Sequence, residues 1–163
     1  MSSVATIKRN IIPPHLEVKG GRPLSGILKV SGAKNSSLAL MAASLLTKEK
    51  VLIKNVPQLT DIEVMAEILR HLGAKLTKTN NSLEINSTSI HNIELPYQLV
   101  HSLRASFFCV GPLLTRLGEA KIPLPGGCNI GARPVDEHIN GLKALGAEVE
   151  VVNDVVRARV KTK

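Results

Sequence analysis

The feature that most constrains the fold is an internal repeat. Residues 45–48 (LLTK) recur 68 positions later as residues 113–116 (LLTR), and residues 72–75 (LGAK) recur 73 positions later as residues 145–148 (LGAE). Each copy has the pattern of a helix, a strand, a loop, a helix and a hairpin. The sequence therefore predicts an α/β fold in which one supersecondary unit is used twice.

The two copies differ in length in one place. Pro57 matches Pro125 at the shorter offset, so the second copy has five extra residues between Pro125 and Leu145. This segment holds Cys128 and Arg133. Because loops on a rigid scaffold commonly carry function, we interpret the extra length as a functional insertion.

The inserted segment, residues 125–138 (PGGCNIGARPVDEH), combines a glycine-rich loop with a thiol and an arginine. Glycines allow close approach of the backbone to a ligand. Pro134 suits the first position of a helix, whose N-terminus attracts anions, and Arg133 adds a positive charge there. Cys128 should ionise readily beside such charges. On the glycines and Arg133-Pro134 alone, a tight turn into a surface helix is the simpler interpretation.

Two further places could hold anions. Lys34 and Asn35 begin a predicted helix after residues 31–33 (SGA), although a polar first turn has the same composition. Arg104 lies in an apolar predicted helix, where it would either bind a ligand or extend to water.

Local patterns predict several other elements. Short strands are expected at residues 16–19 and 25–30. Thr60 and Glu63 match a capping box at the start of a helix. A long helix is expected over residues 97–117, with a kink or a division at its internal Gly111-Pro112 pair.

The C-terminal residues predict a hairpin, with strands at 148–152 and 155–160. Basic side chains alternate along its second strand and beyond. Such a row is typical of a solvated edge strand, and less often of a polyanion-binding face. The row comprises Arg157, Arg159, Lys161 and Lys163.

The amino-acid composition limits the classes of molecule that this chain is expected to bind. A net charge of +8 and a pI near 9.8 favour nucleic acid, acidic membranes or phosphorylated small molecules. Two Phe, one Tyr and no Trp argue against stacking on bases, so phosphorylated metabolites are favoured over nucleic acid.

Two cysteines make no disulfide framework, and Cys109 is expected to be buried. Residues 1–14 are interpreted as a basic leader. A cytoplasmic location is expected, because neither an export signal nor a membrane span is visible.

Several ordered motifs together resemble the enolpyruvyl transferases that act on UDP-N-acetylglucosamine. The motifs are residues 31–35 (SGAKN), 103–106 (LRAS), 125–128 (PGGC) and 131–136 (GARPVD), followed by His138. The resemblance implies an inside-out α/β barrel of βαβαββ repeats. The chain would be the N-terminal part and supply about two of the three repeats of one domain, over residues of about 25–90 and 95–163.

The resemblance also implies an activity and the residues that carry it. The family transfers enolpyruvyl from phosphoenolpyruvate to the 3-hydroxyl of UDP-N-acetylglucosamine in the first committed step of peptidoglycan synthesis. Cys128 would be the general acid and the target of fosfomycin, and Lys34 and Arg133 would hold phosphoenolpyruvate. The UDP-sugar would be held by Asn35, Arg104, Arg133, Pro134, Val135, Asp136 and Glu137, with His138 near the nucleotide.

Some functional residues of the family have no counterpart in this sequence. The family's general base, an aspartate, has no counterpart in this sequence, so the remainder of the enzyme is an expected partner. The alternative is a non-catalytic remnant that binds a UDP-sugar or has an interaction role. No motif for a metal, flavin or nicotinamide cofactor is visible, and neither nucleic acid nor a membrane is an expected partner.

Overall fold

The computed structural model describes residues 16–124 and 134–160. The predicted basic leader, Cys128, Arg133, Lys161 and Lys163 lie outside the described residues. The first half contains α1 (Lys34–Ala43), a 3-10 turn (Ser44–Leu46), β1 (Lys50–Ile53), α2 (Thr60–His71), β2 (Lys75–Thr79) and β3 (Ser82–Asn86). The second half contains α3 (Tyr97–Ser102), a 3-10 helix (Arg104–Cys109), α4 (Val110–Leu117), β4 (Glu119–Pro123), α5 (Asp136–Ala144), β5 (Ala147–Val152) and β6 (Val155–Val160).

Each half has a three-stranded antiparallel sheet of the same topology. The strand orders are β1-β3-β2 and β4-β6-β5, so the last strand of each predicted hairpin lies in the middle. The two hairpin turns contain Asn80 (φ 50°) and the pair Asn153-Asp154 (φ 50° and 59°). Asn and Asp tolerate this left-handed conformation, which two-residue hairpin turns require. Both predicted hairpins are confirmed.

The core between the helices and sheets is almost entirely aliphatic. Hydrophobic periodicity predicts an apolar face for α1 that includes Met41 and one for α2 that includes Met65 and Leu69. All three side chains are fully buried, which confirms both faces. α1 packs against both α2 and the 3-10 helix of the second half. One core therefore joins the two halves.

Arg116 also joins the two halves. Its guanidinium donates from Nη1 to the carbonyl oxygens of Leu45 (2.7 Å) and Thr47 (2.9 Å), and from Nη2 to that of Ser87 (3.3 Å). The Ser87 hydroxyl is buried and donates to the carbonyls of Ser44 and Thr47. α4 is thereby fixed to the end of the α1 segment, and carbonyls left without helical partners are satisfied.

A glycine after the last apolar residue of α2, Gly73, predicts that the helix ends there in the left-handed conformation, and the structure confirms this. The N–H of Gly73 (φ +102°) donates to the carbonyl of Arg70, and the N–H of Ala74 donates to that of Leu69. This is a Schellman motif. The start of the helix differs from expectation, because Leu59 is the N-cap and no side chain caps the helix. Thr60 is already helical, so the predicted capping box is wrong.

The strands predicted at residues 16–19 and 25–30 are absent. Neither segment is paired in a sheet, and Leu16 in the first and Ile27 in the second are exposed. Among the described residues no strand lies beside them. An alternating pattern forms a strand only where a neighbour accepts its backbone hydrogen bonds.

The helix predicted over residues 97–117 is interrupted earlier than expected. The break is at Leu103, whose backbone is extended (φ −137°, ψ 101°). Pro112 instead lies in the first turn of α4, where its missing N–H costs no helical hydrogen bond. The predicted stretch is also divided just before the Gly-Pro pair, since the 3-10 helix ends at Cys109 and α4 begins at Val110.

Two expectations for the second half are also corrected. β6 is the middle strand of its sheet, so its arginines do not mark an edge. Arg159 instead donates to the Glu119 carboxylate on β4 from Nε (3.1 Å) and Nη2 (3.0 Å). The spacing of Ile139, Leu142 and Leu145 predicts one apolar face for α5. Leu145 instead follows the end of that helix and is 87% exposed.

Candidate functional site

The N-terminus of α1 offers unpaired backbone donors. Lys34 is the first helical residue, and the carbonyl of Ala33 accepts the N–H of Ser37 (3.0 Å). The earlier N–H groups of the first turn have no acceptor within the helix. No side chain caps this end, and its first turn contains no acidic residue. The positive end of α1 is therefore suited to an anion.

The loop before α1 is held against the loop that follows β1. A Cβ at Gly32 would lie 1.6 Å from the carbonyl oxygen of Asn55 and 3.3 Å from Cδ of Pro57. Asn55 itself has a positive φ of 57°. Only glycine allows this approach, so the position of the α1 N-terminus is set by backbone packing.

Alanine at Gly32 is expected to lower the free energy of unfolding by about 2–3 kcal/mol, because the new methyl overlaps a backbone oxygen. Urea denaturation measures this change. Gly141→Ala is the matched control, since its Cβ would meet no atom within 4 Å in the middle of α5. It should be neutral or stabilising, by up to about 1 kcal/mol. Equal effects of the two variants would contradict the packing argument.

Lys34 forms an ion pair with a residue that sequence reasoning did not single out. Its Nζ lies 2.6 Å from Oδ2 of Asp61, in the first turn of α2. The side chains are 47% and 36% exposed, respectively, so the ammonium remains open to solvent. Sequence offers only a weak signal for Asp61, namely an acidic residue in a helix first turn.

Arg104 contacts the segment that leads into α5. Its Nη2 donates to the carbonyl oxygen of Pro134 (3.3 Å). Arg104 is the exposed first residue of the 3-10 helix, and the neighbouring Val135 is buried. The structure thus brings together two site residues that are 30 positions apart in the sequence.

The helix expected after Arg133 begins later than predicted. Val135 is the N-cap and Asp136 the first helical residue, so Pro134 precedes the helix. Asp136 and Glu137 lie in its first turn, where their charges offset the positive helix end. His138 is exposed, and its ring packs edge-on against Phe107 with centroids 5.4 Å apart.

Of the two cysteines, Cys109 lies among the described residues and Cys128 does not. Cys109 is fully buried, as predicted, and burial raises the pKa of its thiol to about 12. It is therefore protonated at neutral pH and unsuited to thiolate chemistry. Cys128 and Arg133 fall outside the described residues, so their predicted roles stay predictions.

The described site residues form two groups, one at the start of α1 and one between the 3-10 helix and α5. The first contains Lys34, Asn35 and Asp61, and the second contains Arg104, Pro134 and His138. α1 packs directly on the 3-10 helix that begins with Arg104, which links the groups. Among residues 16–124 and 134–160, no cluster of three acidic, histidine or cysteine side chains could hold a metal ion. No helix in those ranges has the length and apolarity to cross a membrane.

Comparison with known proteins identifies the family. Residues 18–163 match the EPSP synthase (3-phosphoshikimate 1-carboxyvinyltransferase) family. The chain belongs to this family. It is 91% identical over all 163 residues to a UDP-N-acetylglucosamine 1-carboxyvinyltransferase of Prochlorococcus marinus strain NATL2A. A relative of the same name from strain MIT 9301 is 61% identical over 147 residues, or 90% of this chain.

The chain spans about a third of these relatives, 36% of the first and 32% of the second. Two solved structures agree with the fold of this chain. The enolpyruvyl transferase NikO from Streptomyces tendae gives a TM-score of 0.72 at 24% identity, over 87% of this chain and 31% of that one. An EPSP synthase from Acinetobacter baumannii gives a TM-score of 0.60 at 14% identity, and the match covers 85% of this chain and 33% of that one. The predicted fold class is confirmed: the chain is a partial domain of the enolpyruvyl transferase fold.

Proposed function

We propose that this chain forms part of an enzyme that transfers enolpyruvyl from phosphoenolpyruvate to the 3-hydroxyl of UDP-N-acetylglucosamine. The identity of 91% over the whole chain to a relative named for this activity carries the proposal. Because the chain spans 36% of that relative, the activity belongs to the complete enzyme. The enzyme would act in the cytoplasm, in the first committed step of peptidoglycan synthesis.

Two anionic substrates fit the cationic groups of the site. Lys34 and Arg133 would bind the phosphate and carboxylate of phosphoenolpyruvate, with the free N–H groups at the start of α1 nearby. Arg104 and Asn35 would bind the UDP-sugar. Its binding would be completed by the residues just before α5 and in the first turn of that helix, which are Arg133, Pro134, Val135, Asp136, Glu137 and His138. The contact of Arg104 with the Pro134 carbonyl supports one continuous surface.

Proton transfer would be the task of Cys128. In the addition step, its thiol would give a proton to the methylene carbon of phosphoenolpyruvate while the sugar 3-hydroxyl adds to the neighbouring carbon and gives its own proton to the family's general base. In the elimination step, the new methyl group would lose a proton to a basic group of the complete enzyme, and departure of phosphate would restore the double bond. Positioned acids and bases of this kind contribute about 10²–10⁴-fold to rates. Fixed cations and helix N–H groups would stabilise the charge that develops on the phosphate.

The repeat organisation is part of the proposal. The two halves, over residues of about 25–90 and 95–163, would be two of three βαβαββ units of one domain. Their identical strand orders support this division. The third unit, the second domain and the general base would come from the remainder of the enzyme.

A chimera tests the proposal directly. This chain would replace the 163 matched residues of the NATL2A relative, and phosphate release would be measured with both substrates. We expect turnover within about threefold of the parent, because the two segments are 91% identical. Release should require both phosphoenolpyruvate and UDP-N-acetylglucosamine. A folded chimera without activity would contradict the proposal.

The alternative, a non-catalytic UDP-sugar-binding remnant, predicts a different result. It is motivated by the family's general base, an aspartate, for which the resemblance gives no counterpart in this sequence. It predicts that the 163-residue chain binds UDP-N-acetylglucosamine in calorimetry but that the chimera has no turnover. An active chimera would exclude it.

A further inference from the structure

We propose that Asp61 is a positioning residue that holds the Lys34 ammonium at the N-terminus of α1, ready for the anionic group of phosphoenolpyruvate. This inference rests on the proposed function, because it assigns Lys34 an anionic ligand. It adds a residue that would touch no substrate and would act through Lys34.

The geometry of the ion pair favours this role. Oδ2 of Asp61 lies 2.6 Å from Nζ of Lys34, and each residue lies in the first turn of its own helix. An ammonium has three donors, and one carboxylate oxygen occupies one of them. Since the Lys34 side chain is 47% exposed, its remaining donors can meet a ligand from solvent.

The backbone beneath the pair is fixed. α1 packs against α2, and Met41 and Met65 are completely buried in their shared core. The loop before Lys34 touches the carbonyl of Asn55 so closely that only Gly32 fits. The two helix starts therefore cannot shift relative to each other without disturbing the core, and Asp61 stays within reach of Lys34.

Electrostatics explains why an acidic residue is tolerated beside an anion site. The positive end of α1 repels the Lys34 ammonium, and Asp61 offsets that repulsion. The negative charge of Asp61 is itself stabilised by the positive end of α2. A free lysine side chain samples many rotamers, and fixing it before the ligand arrives lowers the entropic cost of binding.

The ion pair between Lys78 and Glu63 provides a matched control. Glu63 lies in the same first turn of α2 as Asp61, but its partner is on β2. Both pairs are partly exposed. Asp61→Asn and Glu63→Gln each remove one charge from the same helix end, while only Asp61→Asn should affect Lys34.

The first measurement follows Lys34 without any substrate, in the 163-residue chain. The two protons on Cε of a held lysine are inequivalent in ¹H–¹³C spectra, and they become equivalent in a freely rotating side chain. We expect separate signals in the wild type and in Glu63→Gln, and a single averaged signal in Asp61→Asn. Unchanged inequivalence in Asp61→Asn would overturn the positioning role.

The second measurement uses the chimeric enzyme. Asp61→Asn should raise KM for phosphoenolpyruvate about three- to tenfold, the effect of ordering one long side chain, with kcat within about twofold. Asp61→Glu, which keeps the charge, should restore most of the loss. Glu63→Gln should leave both parameters unchanged.

A KM for phosphoenolpyruvate that is unchanged or lower in Asp61→Asn would overturn the inference, since Asp61 would then be neutral or a competitor of the substrate. Failure of the proposed function looks different. In that case the unmutated chimera would be inactive or Lys34→Met would leave KM unaffected, whatever the Lys34 signals show.

Discussion

Alanine at Cys128 is expected to lower phosphate release by the chimeric enzyme at least about 10²-fold at neutral pH, the contribution of a positioned general acid. The physical reason is that alanine cannot give a proton to the methylene carbon of phosphoenolpyruvate. Substrate binding should be largely retained, because the cationic groups remain. Steady-state phosphate release and calorimetric binding of UDP-N-acetylglucosamine measure the two effects separately.

The second cysteine supplies the control. Cys109→Ala should leave turnover unchanged, because burial raises the pKa of that thiol to about 12 and it faces the core. We expect Cys109→Ala to lower the free energy of unfolding by about 1 kcal/mol, because it leaves a small cavity in the core. Full turnover in Cys128→Ala, or loss of turnover only in Cys109→Ala, would contradict the assigned role.

Removal of the Arg116 side chain is expected to produce the largest loss of stability. Arg116→Ala leaves the carbonyls of Leu45, Thr47 and Ser87 without this donor between the two halves. A hydrogen bond from a charged donor contributes about 1.5–3 kcal/mol, and three are lost here. The Leu45 carbonyl loses the Arg116 donor, whereas the Thr47 carbonyl keeps the Ser87 hydroxyl and the Ser87 carbonyl keeps the N–H of Ile90. We expect the free energy of unfolding to fall by about 3 kcal/mol in urea denaturation.

Two variants control for the loss of charge. Arg157→Ala removes an exposed arginine from β6 and should change stability by less than about 0.5 kcal/mol. Arg116→Lys keeps the charge but not the planar fork that reaches three carbonyls, so it should be intermediate. Equal stability of Arg116→Ala and wild type would show that the two halves are held by the core alone.

Local sequence signals predicted the elements whose causes are local. The helix face of α2 follows from periodicity, and its end follows from Gly73, the residue that adopts a left-handed conformation without strain. The turn at Asn153-Asp154 follows from the same conformational preference. The repeat predicted that the two halves share an order of elements, and their sheets share a topology.

Expectations failed where the deciding partner is distant in the sequence. Residues 16–30 alternate like strands, but a strand needs a neighbour and none is present among the described residues. The arginines of β6 resembled an edge pattern, yet the pairing of β4 on one side and β5 on the other makes that strand central.

The contacts of the candidate site have the same long-range character. The sequence singled out Lys34 and Arg104 by type and place, but their partners follow only from tertiary packing. Asp61 reaches Lys34 because α2 packs on α1, and the carbonyl of Pro134 reaches Arg104 across 30 positions of sequence. Residue type predicted the cations, and the fold determines how they are held.

The identity of the acceptor that receives the enolpyruvyl group distinguishes the proposed function from that named in the family description. The family description names 3-phosphoshikimate, whereas the 91% identical relative is named for UDP-N-acetylglucosamine. Mass spectrometry of the products formed by the chimeric enzyme from phosphoenolpyruvate and an equal mixture of the two acceptors decides between them. We expect enolpyruvyl-UDP-N-acetylglucosamine as the product and no enolpyruvyl-shikimate 3-phosphate. Enolpyruvyl-shikimate 3-phosphate as the main product would contradict the proposed function.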